Sequence, residues 1–539
     1  MTVEKLITDH IDIWSSALQT RSTAGRGNNS KIDLYGIKKL RELILELAVR
    51  GKLVPQDPND EPASELLKRI AAEKAELVKQ GKIKKQKPLL EISEDEKPFE
   101  LPEGWEWVHL PDIYCSISES SRKIKSSEIL PEGKYPVIEQ SHEFISGYCN
   151  NECLLIKLNK PVIVFGDHTR NIKFIDFDFV VGADGVKILS PILICERFFF
   201  WQLRSFKLDV RGYARHFKVL NSRLFALPPI AEQERIVEKV CSLMSLCDQL
   251  EQQSLTSLDA HQQLVETLLA TLTDSQNAEE LAENWARISQ HFDTLFTTEA
   301  SIDALKQTIL QLAVMGKLVP QDPNDEPASE LLKRIEQEKA QQIKEGKIKK
   351  KKSFVKKNDG KKYELPNGWV QCHLGDIVTI SSGDGLTSKQ MAVDGNIPVY
   401  GGNGITGYHD NWNVDKPTIV IGRVGYYCGS VHITPSLAWV TDNAFITYYS
   451  KNNVDTCFLS LLLKGTNLKE NENATAQPVI SGSKIYPIVI MLPPLNEQKK
   501  IVKKFFELNC LCDTLKSRLQ SAQRTQLNLA DALTDAALN

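Results

Sequence analysis

The strongest constraint on this fold is a phrase of twenty residues that the chain contains twice. Residues 51–70 read GKLVPQDPNDEPASELLKRI, and residues 316–335 read the same without a single change. The two copies lie 265 residues apart, close to half of the 539-residue chain. An internal repeat of this length predicts that the two halves fold alike and that the chain contains several domains.

Helical periodicity surrounds each copy of the phrase. Before the first copy, apolar residues such as Ile37 and Leu40 follow helical spacing, and the pattern ends at Gly51. After it, Pro62 suits the first turn of a second helix that ends near Gly81. The same pattern returns 265 residues later, so each half is predicted to begin with a pair of helices.

A longer helical segment is predicted later in each half. It opens with LPPIAEQERIV at 227–237 and with LPPLNEQKKIV at 492–502. Proline is favoured at a helix start, and glutamate suits the positive N-terminal end. Apolar residues then step by four and three, which predicts a heptad seam on a helix of roughly 60 Å. The first seam comprises Ile236, Val240, Leu243, Cys247, Leu250, Leu264 and Leu268, and the second comprises Ile501, Phe505, Leu508, Cys512, Leu515, Leu519, Leu529 and Leu533.

Residues 110–225 and 374–490 have a different character. Short apolar and β-branched runs alternate with turn residues, which is typical of strand-rich domains. A Gly-Trp pair precedes each region, at 104–105 and 368–369. The two regions barely resemble each other in sequence, whereas the helical parts of the two halves are nearly the same. These two strand-rich regions are called the first head (110–225) and the second head (374–490). Two similar helical scaffolds that carry two different heads indicate that two different targets are read at a fixed separation.

Composition and charge limit the classes of protein to which this chain can belong. The net charge is −3, so any nucleic-acid binding must come from local basic surface. No run approaches the roughly 18 apolar residues of a membrane span, and the N-terminus lacks the order of a signal peptide. Eleven cysteines without zinc-binding spacing predict reduced thiols and no metal. These features together predict a cytoplasmic protein.

Motifs for catalysis are missing from the sequence. There is no G-x4-G-K-[ST] motif for an ATP motor and no H-E-x-x-H. Both Pro-Pro pairs follow leucine, outside the Asn/Asp-Pro-Pro-aromatic context typical of amino-methyltransferases. Residues 402–407 fit G-x-G-x-x-G, but YHDNW follows where a dinucleotide site needs a helix. This stretch is therefore predicted to be a turn between strands.

The doubled, ordered set of motifs resembles the specificity subunit of type I restriction–modification enzymes, the HsdS family. The resemblance rests on the LPP-x-x-EQ segments, the Gly-Trp pairs and the long helices, and it extends from about residue 32 to the end. It implies a non-catalytic subunit with two target-recognition domains that each read half of a bipartite, asymmetric DNA site. The implied partners are double-stranded DNA, two methylation subunits and restriction subunits. No cofactor is expected in this chain; the partner subunits would use S-adenosylmethionine, ATP and Mg.

The predicted fold class is α+β. Two strand-rich target-recognition domains are expected to be separated by long antiparallel coiled-coil helices, in a tandem repeat with pseudo-two-fold symmetry. The predicted domains are an N-terminal helical arm (1–99), the first recognition domain (100–225), a central helical spacer (226–362), the second recognition domain (363–490) and a C-terminal helix (491–539).

Polar and basic side chains on predicted loops are the candidate DNA contacts. Arginine can pair with guanine or hold a phosphate, yet each candidate can equally be a solvated or packing side chain. The resemblance fixes none of them, because the heads diverge among family members. The candidates are His168, Thr169, Arg170, Lys173, Arg211, Arg215 and Lys218 in the first head, and Asn403, His409, Arg423, Tyr426 and Lys484 in the second.

Two lysine runs, at 82–87 and 347–352, precede the heads and are candidates for phosphate contact. Two other functions stay open at this point. One is a self-contained DNA methyltransferase or nuclease, against which the missing motifs argue. The other is a coiled-coil adaptor whose heads bind proteins, and selection of binding sites from random DNA would separate it from a DNA reader.

Overall fold

The computed structural model describes residues 3–21, 31–83, 89–117, 122–182, 185–208, 215–345, 365–392, 394–425, 427–469 and 479–538. The candidates Arg211 and Tyr426 lie outside these residues, as do the second lysine run and the first run beyond Lys82. The chain divides into two compact units. The first unit comprises Met1–Ser257 and Ser521–Asn539, and the second comprises Leu258–Gln520.

The first unit contains the two helices predicted beside the repeated phrase, followed by a strand-rich head. Its described helices are α1 (Val3–Thr8), α2 (Ile11–Ser16), α3 (Tyr35–Val49), α4 (Ala63–Lys79), α5 (Glu196–Ser205), α6 (Phe217–Asn221) and the first part of α7 (Ile230–Asp274). Its strands are β1 (Gln19–Arg21), β2 (Lys31–Asp33), β3 (Glu106–His109), β4 (Tyr114–Ile117), β5 (Tyr135–Ile138), β6 (Gly147–Cys149), β7 (Leu155–Ile156), β8 (Val162–Gly166), β9 (Ile172–Ile175), β10 (Phe179–Val181), β11 (Val186–Pro191) and β12 (Leu224–Leu227).

The second unit contains the same kinds of elements. Its described helices are the rest of α7, α8 (Ala278–Gln290), α9 (Phe292–Leu295), α10 (Glu299–Val314), α11 (Ala328–Lys344), α12 (Leu374–Ile377), α13 (Thr456–Gly465), α14 (Gly482–Ile485) and α15 (Leu495–Leu538), the last turns of which belong to the first unit. Its strands are β13 (Val370–His373), β14 (Val378–Ser382), β15 (Ile397–Gly401), β16 (Gly404–His409), β17 (Ile419–Gly422), β18 (Val431–Ile433), β19 (Trp439–Val440), β20 (Ala444–Tyr449) and β21 (Val489–Leu492).

The sheets of the two heads share the same strand order although their sequences differ, except that the described residues of the second head show no strand corresponding to β7. In the first head the sheets run β4-β11-β8-β9 and β6-β5-β10-β7, and in the second they run β14-β20-β17-β18 and β16-β15-β19. Among the described strands, each head has one parallel pair, β5 with β10 and β15 with β19. Each also has a two-stranded ribbon, β3 with β12 and β13 with β21. The predicted α+β class and tandem repeat are confirmed.

The core of each head includes a fully buried strand in the interior of its four-stranded sheet. All residues of β8 (VIVFG) and of β17 (IVIG) are buried. Strands covered on both faces become continuous apolar runs, because neither face has to be compatible with water. In the first head α5 contacts β8 and its neighbours β9 and β11, and in the second head α13 packs beside β18.

The apolar seam of the long helices departs from the predicted heptad after four repeats. Leu264 is 51% exposed, whereas the next residue, Val265, is 2% exposed. A strict heptad drifts by about 20° per repeat on a straight helix, so four heptads after Ile236 the buried line has moved by nearly one residue. The equivalent pair in α15 shows the same shift, with Leu529 41% and Ala530 0% exposed. The heptad prediction is wrong at Leu264 and Leu529.

Within the described residues, no helix has the length and apolar character needed to cross a membrane.

Candidate nucleic-acid interface

Each head is held against its long helix by a buried carboxylate. In the first unit this is Glu232, which lies in the first turn of α7 and is 1% exposed. Its Oε2 accepts a hydrogen bond from Trp105 Nε1 (2.9 Å), and its Oε1 accepts one from Gln56 Nε2 (3.2 Å). Gln56 belongs to the repeated phrase and Trp105 to the Gly-Trp pair. The repeated phrase, the Gly-Trp pair and the LPP-x-x-EQ segment therefore contact one another through these hydrogen bonds. This contact is called the joint.

The second unit repeats this joint. Glu497 is 1% exposed, and its Oε1 accepts hydrogen bonds from Trp369 Nε1 (3.0 Å) and Gln321 Nε2 (3.2 Å). Its Oε2 is buried and has no hydrogen-bond partner among the described residues. The repeated phrase thus contributes the same glutamine contact in both units.

A glutamine beside each carboxylate connects the long helix to a helix of the head. Gln233 Oε1 accepts a hydrogen bond from the backbone N–H of Cys195 (2.9 Å), at the start of α5. Gln498 Oε1 accepts one from the backbone N–H of Asp455 (2.8 Å), at the start of α13. Both glutamine Nε2 groups donate to the carbonyl of the proline five residues earlier (2.9 and 3.0 Å). The LPP-x-x-EQ motif therefore connects each head to its long helix through hydrogen bonds.

The joint predicts a pH dependence of stability. Burial raises the pKa of both Glu232 and Glu497 above the ordinary value of 4.5. A raised folded pKa contributes stability that is fully present below the unfolded pKa and is lost as pH rises through the folded pKa. We therefore expect the unfolding free energy of the wild type, minus that of the E232Q/E497Q double variant, to fall as pH rises from about 4.5. Urea denaturation across this range measures the difference, and a difference that stays constant or increases would contradict the assignment.

At one end of the first head, three loops meet beside the parallel strand pair. These loops follow β5, β8 and β10, and they are called the first-head loop cluster. Gln140 joins two of them, because its Oε1 accepts from the His168 backbone N–H (3.1 Å) and its carbonyl accepts from Thr169 Oγ1 (2.5 Å). The third loop is joined by the Asp167 N–H, which donates to the Gly185 carbonyl (2.7 Å). The carboxyl ends of parallel strands are a common place for ligand sites.

The loops after β15, β17 and β19 form the corresponding second-head loop cluster. They pack backbone against backbone: a Cβ at Gly402 would lie 2.4 Å from the Val424 carbonyl oxygen, and one at Gly422 would lie 2.1 Å from the Gly402 carbonyl oxygen. The Arg423 N–H donates to the Asn443 carbonyl (2.9 Å). Residues 402 and 403 of the G-x-G-x-x-G stretch form the hairpin turn between β15 and β16, as predicted, whereas residues 404–407 belong to β16 itself.

A cleft of about 360 Å³ opens within the second-head loop cluster. Its lining comes from all three loops and from Thr406 on β16. The exposed side chains of Asn403, Tyr427 and Asn443 stand at its rim. A cleft of this kind offers polar groups from rigid loops to a ligand outside the head.

The structure brings several first-head candidates together. His168, Thr169 and Arg170 follow β8 on a loop, as predicted. Arg170 has a positive φ of 64°, and its Nη1 donates to the Leu208 carbonyl (2.8 Å), so it helps to shape the loop. Arg215 is exposed and precedes a residue whose N–H donates to the carbonyl of Asp167 (2.8 Å), which places it beside the cluster.

Lys218 is exposed on α6, two residues beyond this contact. Its position leaves the ammonium group in solvent. A phosphate contact is the interaction that suits such a group.

Lys173 has a structural role that the sequence does not predict. This residue of β9 is 5% exposed, and its amine donates to the carbonyls of Glu139 (2.8 Å) and Glu143 (2.5 Å). Burial lowers its pKa, and the carbonyl oxygens replace the water that an ammonium requires. Lys173 therefore fastens the loop after β5 from beneath and does not face a ligand.

The second-head candidates divide between the two ends of the head. Asn403 lies at the cleft. Arg423 follows β17, where its Nη1 donates to Ser382 Oγ (3.0 Å) and its guanidinium lies 5.4 Å from the centre of the Phe445 ring. Lys484 Nζ donates to the Val479 carbonyl (3.2 Å).

His409 is separated from the other second-head candidates. It pairs with Ile397 at the far end of the β15–β16 hairpin, away from the glycine turn. Its ring meets Trp439 edge to face, with centroids 5.3 Å apart. His409 is therefore not part of the loop cluster.

Sequence reasoning missed Gln140 and Asn443. Each follows a β-branched or apolar run, but so do many polar residues of the heads. What distinguishes them is the pairing of strands that are distant in sequence, which brings their loops together. No local pattern in the sequence carries that information.

Comparison with known proteins identifies the family. The family described as type I restriction modification DNA specificity domain matches residues 102–260 and 366–523. Two specificity subunits of Escherichia coli align over the full length of both chains, that of type I restriction enzyme EcoAI at 49% identity and that of EcoEI at 50%. A solved HsdS subunit from Thermoanaerobacter tengcongensis covers 82% of this chain and 98% of its own length, at 17% identity and a TM-score of 0.37. With both repeats matched and full-length relatives near 50% identity, the chain belongs to the family of type I restriction–modification specificity subunits.

Proposed function

We propose that each head of this specificity subunit reads one half of a bipartite, asymmetric DNA site. One observation carries the proposal: the sheets of both heads share their strand order apart from β7, and both heads place three loops at the same end, yet the loops present different side chains. A shared framework that carries different loops is suited to reading two different DNA sequences with the same kind of surface. Base contacts give specificity and phosphate contacts give position, so the clusters are assigned the first role and Arg215 and Lys218 the second.

The chain is a non-catalytic component of its enzyme complex, like the relatives that carry the name of specificity subunit. Its proposed partners are double-stranded DNA, methylation subunits that use S-adenosylmethionine, and restriction subunits that use ATP and Mg. The proposed recognition domains are residues 100–225 and 363–490. The helices α7 and α15 are proposed to form the antiparallel spacer that sets the separation of the two half-sites.

The decisive experiment is methylation of a random DNA library by the complex reconstituted with its methylation subunits. The expected result is two short fixed blocks around a spacer of fixed length and free sequence. If the methylated DNA shows no sequence preference, the result would favour the alternative in which the chain is a coiled-coil adaptor whose heads bind proteins. Methylation or cleavage of DNA by the isolated chain would favour a self-contained enzyme.

The spacer role predicts a response to helix length. Removing seven residues from α7 together with the equivalent seven from α15 keeps the helical face nearly in register and shortens each helix by roughly 10 Å. We expect the selected DNA site to change its unread spacer, or to be lost, while the bases of the two blocks stay the same. Selection of the original site with its original spacer would contradict the spacer role.

A further inference from the structure

The second-head cleft carries information about which base it reads. Asn403 and Asn443 stand on two different loops at its rim, and both side chains are exposed. Among the residues that the structure describes, neither carboxamide makes a hydrogen bond to the protein. Their donors and acceptors are therefore available to a ligand.

The two asparagines are presented by a rigid backbone. Gly402, beside Asn403, packs so closely that a Cβ would meet the Val424 carbonyl oxygen at 2.4 Å. The Asn443 carbonyl accepts from the Arg423 N–H (2.9 Å), and the Asn443 N–H donates to Thr441 Oγ1 (3.4 Å). Groups that are held in place before binding lose little entropy on binding, which favours discrimination between similar partners.

The neighbouring cations Arg423 and Lys484 each use part of their donor capacity within the protein. Arg423 uses Nη1 for Ser382 Oγ and the Asp442 carbonyl and stacks over Phe445. Lys484 Nζ donates to the Val479 carbonyl. Guanine is most often read by a free arginine or lysine, because its major-groove edge presents two acceptors. The described part of this cluster therefore favours a carboxamide as the reading group.

We infer that Asn403 and Asn443 read adenine at A·T base pairs in the half-site of the second head, an inference that rests on the proposed function. A carboxamide presents one acceptor and one donor side by side. Adenine presents the complementary pair in the major groove, the N6 amino group as donor and N7 as acceptor. In the first head the related position holds Gln140, whose Oε1 is occupied by the His168 N–H, so the same reading is not expected there.

The test uses the complete complex with its methylation subunits and a random DNA library. Asn403→Asp and Asn443→Asp keep the shape of each side chain but replace its donor with a second acceptor. Asn452→Asp is the matched control, because Asn452 is exposed beyond the opposite end of β20 and undergoes the same change of charge.

The expected result is a loss of about tenfold or more in preference for A·T over G·C at one position of one block, with either cleft variant. The other block and the profile of Asn452→Asp should match the wild type. If neither cleft variant changes any base preference, or if the change falls at a G·C pair, the inference is overturned while the two wild-type blocks still support the proposed function. If the wild type itself selects no blocks, the proposed function fails first.

Discussion

A complex that carries Glu232→Ala is expected to lose recognition of one half-site and to keep the other. The substitution removes the acceptor of Trp105 Nε1, which is buried, and leaves a cavity between the head and α7. An unpaired buried donor and a small cavity together destabilise a protein by about 2–4 kcal/mol. The first unit should therefore unfold at a lower urea concentration, and its head should no longer be fixed to the helix.

The reciprocal variant, Glu497→Ala, tests the same joint in the second unit and should affect the other half-site. Together the two variants assign each head to its block of DNA sequence. Glu234→Ala is the control, because Glu234 is exposed on the same turn of α7 as Glu232. If both joint variants weaken the same block, or both blocks equally, the heads do not act independently.

Gly422→Ala is expected to abolish base preference in the block read by the second head. A Cβ at this position would lie 2.1 Å from the Gly402 carbonyl oxygen and 2.7 Å from Ser430 Oγ. A backbone oxygen cannot move aside as a flexible side chain does, so the loops after β15 and β17 must separate. Overpacking of this kind costs about 1–3 kcal/mol, and the separated loops would no longer hold the cleft.

Gly385→Ala is the matched control in the same head, because a Cβ there has nothing within 4 Å. Thermal denaturation and the methylation profile on random DNA together measure the effect. The block read by the first head should be unchanged in both variants. A Gly422→Ala complex with wild-type melting and a wild-type profile would show that the close packing of these loops has no role in recognition.

Much of the helical framework could be predicted from the sequence. The helices α3 and α4, their copies and the two long helices follow from periodicity over neighbouring turns, and their ends follow from glycine and proline. These signals are local, because a helix satisfies its hydrogen bonds within four residues. The repeated motifs also predict that the same structural element occurs twice in the chain. Only the structure shows that Trp105, Gln56 and Glu232 are connected by hydrogen bonds.

The candidate site was predicted less completely. The sequence predicts the loop after β8 and the glycine turn after β15, and the structure has turns at both places. Lys173 was a reasonable candidate by residue type, yet its amine is buried against carbonyls of a segment about thirty residues away. His409 lies close to the glycine turn in sequence, but strand β16 places it at the far end of the hairpin.

Spacing along the chain is enough to predict the repeated helices, their ends and the family. Contacts between distant segments, by contrast, give two dissimilar heads nearly the same strand order and bring their loops together. The physical reason is that a strand chooses its partner by burial and register with distant segments. The parallel pairs β5–β10 and β15–β19 each join residues about forty positions apart, and those pairings place Gln140 and Asn443 in the loop clusters.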